Sequence, residues 1–279
     1  MSSPQICGLL AGNPSKLSYA MHTAGFESLG LDFEYRLFKS TDTKVVLDEM
    51  REKNYRGLSV TIPHKERVLR FVDEVDSLVK EVGAANTIIN DGKKLSAFNT
   101  DCFGIEQALR EISFEKWNEK IILFGAGGAA RAAIVTLKML GAKQIYIANR
   151  SPERSDVLVN TFRVNVLASA AELRKVFPEA SLLINATPLG SPLFPDLAPF
   201  DLSLLSKEQM VFDMVTHETP LTKEASKNGL RVVYGLQMLL FQALKQFELF
   251  TGQTAPKESM EQALYDEAKR LVSSTSHKM

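Results

Sequence analysis

Six residues at the centre of the chain, Gly125-Ala126-Gly127-Gly128-Ala129-Ala130, carry the clearest chemical signal. An apolar run from Ile121 to Phe124 precedes them and a helical pattern follows to Leu140, stopping at Gly141. In a strand–turn–helix setting, Gly125 permits a tight turn and Gly127 lets the backbone approach a pyrophosphate. Ala130 is small enough for close packing of helix on strand. Gly128 and Ala129 open the helix, whose N-terminus offers N–H groups and the positive end of its dipole to phosphates. The next strand, Gln144 to Ala148, ends in Asn149-Arg150-Ser151-Pro152-Glu153-Arg154. No acid stands at that strand end to hold the ribose 2′-hydroxyl of NAD. Ser151 reads as a helix N-cap with Pro152 at the first helical position. A 2′-phosphate could sit on that helix end between Arg150 and Arg154, which favours NADP. Glu153 could pair with either arginine.

Three other segments hold groups that could react. In Gly57-Leu58-Ser59-Val60-Thr61-Ile62-Pro63-His64-Lys65, a strand runs into a proline-fixed turn and delivers a lysine. Gly83-Ala84-Ala85-Asn86-Thr87 is the second, and Phe98-Asn99-Thr100-Asp101-Cys102-Phe103-Gly104 is the third. Taken singly, Lys65 reads as a surface lysine, and Asp101, where a strand gives way to a helix, reads as an N-cap.

The elements that must position these groups alternate between strand and helix. Strand-like runs cover Ile6 to Ala11, Phe33 to Phe38 and Gly57 to Thr61, with helical spacing over Ser18 to Leu29 and Thr43 to Lys53. Thr87 to Asn90 and Lys94 to Phe98 form a hairpin around Asp91-Gly92. After the glycine turn come short strands at Ser181 to Asn185, Met210 to Asp213 and Arg231 to Tyr234, separated by helical patterns. This alternation predicts an α/β protein with mostly parallel sheets wrapped by helices, the second part being doubly wound. Two helical stretches close the chain, Gly235 to Thr251 and Pro256 to Val272.

The 279 residues suffice for two domains. Lysine plus arginine equals aspartate plus glutamate at 33 each, so no global field draws nucleic acid or an anionic membrane. No apolar run reaches the roughly 18–20 residues of a membrane span. The N-terminus lacks a signal-peptide pattern. Cys7 and Cys102 read as reduced thiols of a cytoplasmic protein. His22, His64, His217 and His277 are scattered, and no Cys/His cluster has zinc spacing, so no metal is expected.

Taken together and in order, the motifs resemble the shikimate and quinate dehydrogenase family. They are Val60-Thr61-Ile62-Pro63-His64-Lys65, Gly83-Ala84-Ala85-Asn86-Thr87, Asn99-Thr100-Asp101, Gly125 to Arg131 and Asn149-Arg150-Ser151. Asn185-Ala186-Thr187-Pro188-Leu189-Gly190 and Gly235-Leu236-Gln237-Met238-Leu239-Leu240-Phe241-Gln242-Ala243 complete the set. The resemblance runs from about Gly12 to Gly252.

The resemblance implies reversible reduction of 3-dehydroshikimate to shikimate with NADPH. Lys65 matches the family's catalytic lysine and Asp101 its paired aspartate. Thr61, Asn86 and Gln242 match residues that hold substrate hydroxyls, and Ser18 matches one of two serines that bind the substrate carboxylate. Thr187, Met214, Gly235 and Met238 match cofactor-side positions. The implied architecture is a substrate domain, residues 1–101 plus 236–279, and a Rossmann-type NADP domain, residues 102–235, with a cleft between them. The C-terminal helices return to the first domain. The expected partner is a small cyclic hydroxy-acid, with the chain a monomer or homodimer. The chemistry fits these roles. Hydride arriving at a ketone builds negative charge on its oxygen, and a nearby ammonium stabilises it and supplies a proton. A carboxylate beside that lysine orients it. Neutral amides and hydroxyls suit a polyhydroxylated ring.

The substrate segments depart from the family's pattern. Where members have His-Ser-x-Ser-Pro-x-x-His, this chain has a shorter run, Asn13-Pro14-Ser15-Lys16-Leu17-Ser18-Tyr19-Ala20-Met21-His22. Ser15 by hydrogen bond or Lys16 by charge could stand in for the missing serine. Ser59 replaces an asparagine. Asp213-Met214-Val215-Thr216-His217 lacks the tyrosine of Asp-x-x-Tyr-x-Pro. These departures keep open quinate or another cyclic hydroxy-acid as substrate, and an NADP-binding regulatory protein with little turnover.

Overall fold

The computed structural model describes residues 3–92 and 94–276; His277 lies outside the described residues. The chain divides into two compact units, Met1–Thr100 with Leu240–Met279, and Asp101–Leu239.

The first unit holds β1 (Gln5–Ala11), α1 (Lys16–Ser28), β2 (Phe33–Lys39), α2 (Thr43–Glu52), β3 (Gly57–Val60), β4 (Glu74–Val75), α3 (Ser77–Val82), β5 (Thr87–Asn90) and β6 (Leu95–Phe98). Its sheet runs β2-β1-β3-β5-β6-β4. Strand β1 is parallel to both β2 and β3, whereas β5 is antiparallel to β3 and to β6. The hairpin turn between β5 and β6 uses Gly92 at φ +87°, where a side chain would be strained. The inner strands are near-continuous apolar runs because both faces are covered. Leu10, Leu58, Val60, Ile88 and Ala97 join Val46, Leu47 and Met50 of α2 in one core.

The second unit holds α4 (Asp101–Glu111), β7 (Lys120–Phe124), α5 (Gly128–Met139), β8 (Gln144–Ala148), α6 (Pro152–Phe162), β9 (Asn165–Val166) and α7 (Ala170–Val176). Then follow β10 (Ala180–Asn185), β11 (Met210–Asp213), α8 (Pro220–Lys227) and β12 (Arg231–Tyr234). The sheet order is β12-β11-β10-β7-β8-β9, and every ladder is parallel. This is the doubly wound arrangement of dinucleotide-binding folds. The order reverses between β7 and β10, and ligands in such sheets bind beyond the strand ends at that switch. Gly125 follows β7 and Ala186-Thr187 follow β10, so both segments stand at the switch.

Helix α9 (Gly235–Thr251) starts in the second unit and continues into the first, and α10 (Lys257–Ser276) belongs to the first. There α10 packs on α1, burying Met260 and Leu264.

Candidate active site

In the first unit the lysine is held by its backbone. The strand β3 gives way to Thr61, whose N–H donates to Leu10 O (3.0 Å). The Ile62–Pro63 peptide is cis. Gly12 N–H donates to Ile62 O at 3.0 Å, and His64 N–H to Thr61 O at 2.8 Å. The His64 ring is buried, with Nδ1 2.7 Å from Thr43 Oγ1 and Nε2 2.8 Å from Ser40 O. Burial pushes the His64 imidazole below its ordinary pKa, the bond to Ser40 opposing. This anchored turn ends at Lys65, whose carbonyl accepts from Ala85 N–H at 2.8 Å. Lys65 is half-buried, and its backbone thus lies beside Asn86.

Asn86 is the centre of a buried polar cluster. Its Nδ2 donates to Thr100 Oγ1 (2.9 Å) and to Gln242 Oε1 (3.1 Å). Its Oδ1 accepts from Thr100 N–H (2.7 Å) and from the Thr87 hydroxyl (2.9 Å). Gln242 comes from α9, and Gln246 follows it one turn later on the same face. The Gln246 amide donates to Asn86 O (3.0 Å) and Thr87 Oγ1 (2.9 Å) and accepts from the Ser59 hydroxyl (2.8 Å). Tyr35 in turn donates to Ser59 Oγ at 2.8 Å. A satisfied network of this kind fixes the direction of each amide, since an orphaned member would cost the full desolvation of a buried polar group.

Ser18 is buried on α1. Its two neighbours part ways: Ser15 caps the helix, its Oγ accepting from Leu17 N–H at 3.2 Å, while Lys16 is exposed at the first helical position. A surface hollow of about 490 Å³ between α1 and β2, lined by Tyr19, Thr23, Glu27 and Arg36 among others, contains none of these residues.

In the second unit Asp101 is the first residue of α4, inside the helix rather than its cap, and is buried. The glycine turn has the form a pyrophosphate cradle requires. Gly125 sits at φ +114°, and a Cβ there would meet Ala186 O at 2.9 Å. A Cβ on Gly127 would meet nothing within 4 Å, so the space before α5 is open. Gly127 is the N-cap of α5 and no side chain caps it, which leaves the first N–H groups and the dipole to a ligand. Ala126, Gly128 and Ala129 around it are half-buried.

Ser151 is the N-cap of α6 with Pro152 inside the first turn, but its hydroxyl does not cap the helix. It donates instead to Glu153 Oε2 at 2.7 Å, and this bond lowers the Glu153 pKa. Glu153 is therefore engaged away from the arginines. Arg150 and Arg154 are exposed and make no ion pair or hydrogen bond among the described residues. Asn149 Nδ2 donates to Ser151 O at 2.8 Å and braces the turn between them. Two guanidinium groups and an uncapped helix end form a donor set suited to a phosphate.

At the ends of β10 and β11, Asp213 is a hub that the sequence reading passed over. Its Oδ1 accepts from Asn185 Nδ2 (2.9 Å) and Val215 N–H (3.0 Å), and its Oδ2 from the Thr219 hydroxyl (2.7 Å). Burial raises its pKa, the bond from Thr219 opposing. Asn185 Oδ1 accepts from Thr187 N–H (3.0 Å) and Thr187 Oγ1 (2.6 Å), so the hub places Thr187, and Met214 N–H donates to Asn185 O at 3.0 Å. Gly235 is obligatory here: a Cβ would stand 2.4 Å from Val215 O. Met238 is buried one turn on. The signal that could have exposed the hub is polar residues closing two adjacent apolar strands. Gln246 and Tyr35 were also passed over; a second glutamine one helical turn after Gln242 was the available clue.

Among the described residues, no group of three or more His, Cys, Asp or Glu could hold a metal ion, and no helix is long and apolar enough to cross a membrane. Cys7 and Cys102 are buried and form no disulfide.

Comparison with known proteins decides the family. Residues 10–88 match the shikimate dehydrogenase substrate binding domain, residues 107–215 the model described as shikimate / quinate 5-dehydrogenase, and residues 235–265 the shikimate 5′-dehydrogenase C-terminal domain. The chain is 37% identical over 276 residues to a shikimate dehydrogenase (NADP(+)) of Desulforamulus reducens, covering 94% of each chain. The chain belongs to the shikimate dehydrogenase family. Among solved members, shikimate 5-dehydrogenase of Thermus thermophilus, in complex with NADP(H) and shikimate, matches with a TM-score of 0.84 and 32% identity over 94% of this chain and 99% of that one. Quinate dehydrogenase of Corynebacterium glutamicum, in complex with NAD, matches with a TM-score of 0.84 and 29% identity over 95% and 100%. These two neighbours differ in ring acid and in nucleotide: one is in complex with shikimate and NADP(H), the other is a quinate dehydrogenase in complex with NAD.

Proposed function

We propose that this protein is an NADP-dependent oxidoreductase that interconverts 3-dehydroshikimate and shikimate. The observation that carries the reading is the buried Asn86–Thr100–Gln242 cluster directly beside the turn that delivers Lys65. A ring with several hydroxyls needs neutral, fixed donors and acceptors, and a ketone being reduced needs a cation at its oxygen.

NADP(H), when bound, supplies or accepts the hydride. Gly125 to Ala129 would hold its pyrophosphate, and Asn149, Arg150, Ser151 and Arg154 its 2′-phosphate. Thr187, Met214, Gly235 and Met238 would line the rest of its site. The other residues act on the substrate. Asn86, Thr61 and Gln242 orient the ring through its hydroxyls, and Ser18 with Lys16 takes the carboxylate. Lys65 Nζ stabilises the charge that builds on the carbonyl oxygen and gives that oxygen its proton; in the reverse direction it takes the hydroxyl proton. Asp101 is the carboxylate that the family resemblance assigns to this chemistry. The proposal places the enzyme in the cytoplasm, as a monomer or homodimer.

The test is Lys65→Ala. It should lower kcat for shikimate oxidation at least ~100-fold, the size of a positioned acid–base effect, with NADPH affinity nearly unchanged. Near-normal turnover would refute the assignment.

A further inference from the structure

The sequence resemblance puts an asparagine where this chain has Ser59, yet the structure leaves no polar gap there. The Ser59 hydroxyl donates to Gln246 Oε1 at 2.8 Å, and Gln246, only 1% exposed, spends its two amide hydrogens on Asn86 O and Thr87 Oγ1. The bonds form one directed chain: Tyr35 to Ser59, Ser59 to Gln246, Gln246 to Thr87, Thr87 to Asn86 Oδ1, and Asn86 Nδ2 to Gln242. Each hydroxyl in it gives its single proton onward, so no member can reverse without orphaning a neighbour. The chain therefore sets which end of the Asn86 amide faces Gln242. The imidazole of His22 lies beside the same Gln246 amide and stacks on Tyr35 at 4.6 Å, closing the group on its other side.

We infer that Gln246 is a positioning residue for substrate binding, supplying from α9 the amide that position 59 lacks on β3. It orients Asn86 and, through Asn86, Gln242. The inference rests on the reading of Asn86 and Gln242 as ring-binding residues. It also explains why the serine is tolerated: a shorter side chain on the strand and a long amide on the facing helix fill one space, and the donors come from the other side.

Steady-state kinetics on four variants tests it. Gln246→Ala should raise KM for shikimate about tenfold, the equivalent of one buried hydrogen bond lost, with kcat and the KM for NADP⁺ changed far less. Gln246→Met, close in volume but without amide donors, should raise KM equally, which separates lost hydrogen bonds from lost packing and remains informative should the alanine variant unfold. Adding Ser59→Asn to Gln246→Ala should return KM to near the original value, because the strand then carries the amide. An unchanged KM in Gln246→Met, or a raised KM that Ser59→Asn leaves unrescued, overturns the inference. Asn86→Ala serves as the control: if KM is normal there, the reading of the ring site fails and the inference with it; if KM rises there but not in Gln246→Met, only the inference fails.

Discussion

His22 should make this protein acid-sensitive, and replacing it should remove that sensitivity. The ring is fully buried among aromatic side chains, 4.6 Å from Tyr35, 5.4 Å from Phe250 and 6.4 Å from Phe247 by centroids. Neither ring nitrogen meets hydrogen-bond geometry among the described residues. Burial pushes its pKa from 6.5 down to about 3, opposed only in part by the Gln246 amide. The folded value is thus below the unfolded one. Above pH ~6.5 the imidazole is neutral in both states and contributes no pH dependence. As pH falls below that, the unfolded chain takes up a proton that the folded chain refuses, so stability is lost progressively between about 6.5 and about 3. At pH 5 the loss relative to pH 8 works out at about 2 kcal/mol. His22→Phe keeps an aromatic ring in the stack and removes the titrating group along with two buried nitrogens. Denaturant unfolding followed by far-UV circular dichroism at pH 8 and pH 5 should show the original protein losing about 2 kcal/mol more than the variant over that interval. The variant should be at least as stable at pH 8. Equal losses in the two proteins, or an NMR titration placing the His22 imidazole near 6.5, would refute the reasoning.

The cofactor end yields graded predictions. Arg150→Ala should weaken NADPH binding ~10-fold or more while leaving NADH nearly unchanged, because only NADPH carries the 2′-phosphate; isothermal titration with both nucleotides decides it, and equal loss of both would defeat the argument. Arg154→Ala should act in the same direction and, since the two guanidiniums share one charge-assisted partner, the double variant should lose less than the sum.

Several elements were legible because they obey one period and end in strong punctuation. The sequence places β8, β11, β12 and α9 at the bounds observed, each with a polar residue or glycine at its first or last position. The glycine turn was legible for a different reason: its residues are dictated by backbone approach, so their type is nearly forced. Helix α1 begins at Lys16, earlier than its apolar spacing suggested, because Ser15 caps it. The two-residue strands β4 and β9 and the six-residue α3 are too short to show a period. The site divides in the same way. Lys65, Asn86 and the glycines stand in motifs; the glycines are legible from their strand–turn–helix setting, while Lys65 and Asn86 take their roles from the family that the ordered motifs resemble. Gln246, Ser59 and Tyr35 meet only because α9 joins the first unit more than a hundred residues after that unit's last strand, and no local pattern announces such a contact. The capping hydroxyl of Ser151 was a reasonable expectation that a competing acceptor, Glu153, overrode.

The central claim is the reaction, and initial rates of NADP⁺ reduction by the purified protein test it most directly. Shikimate should support turnover with NADP⁺, with kcat/KM higher than for quinate and higher than for shikimate with NAD⁺. Negligible turnover of shikimate by protein that still binds NADPH would contradict the account.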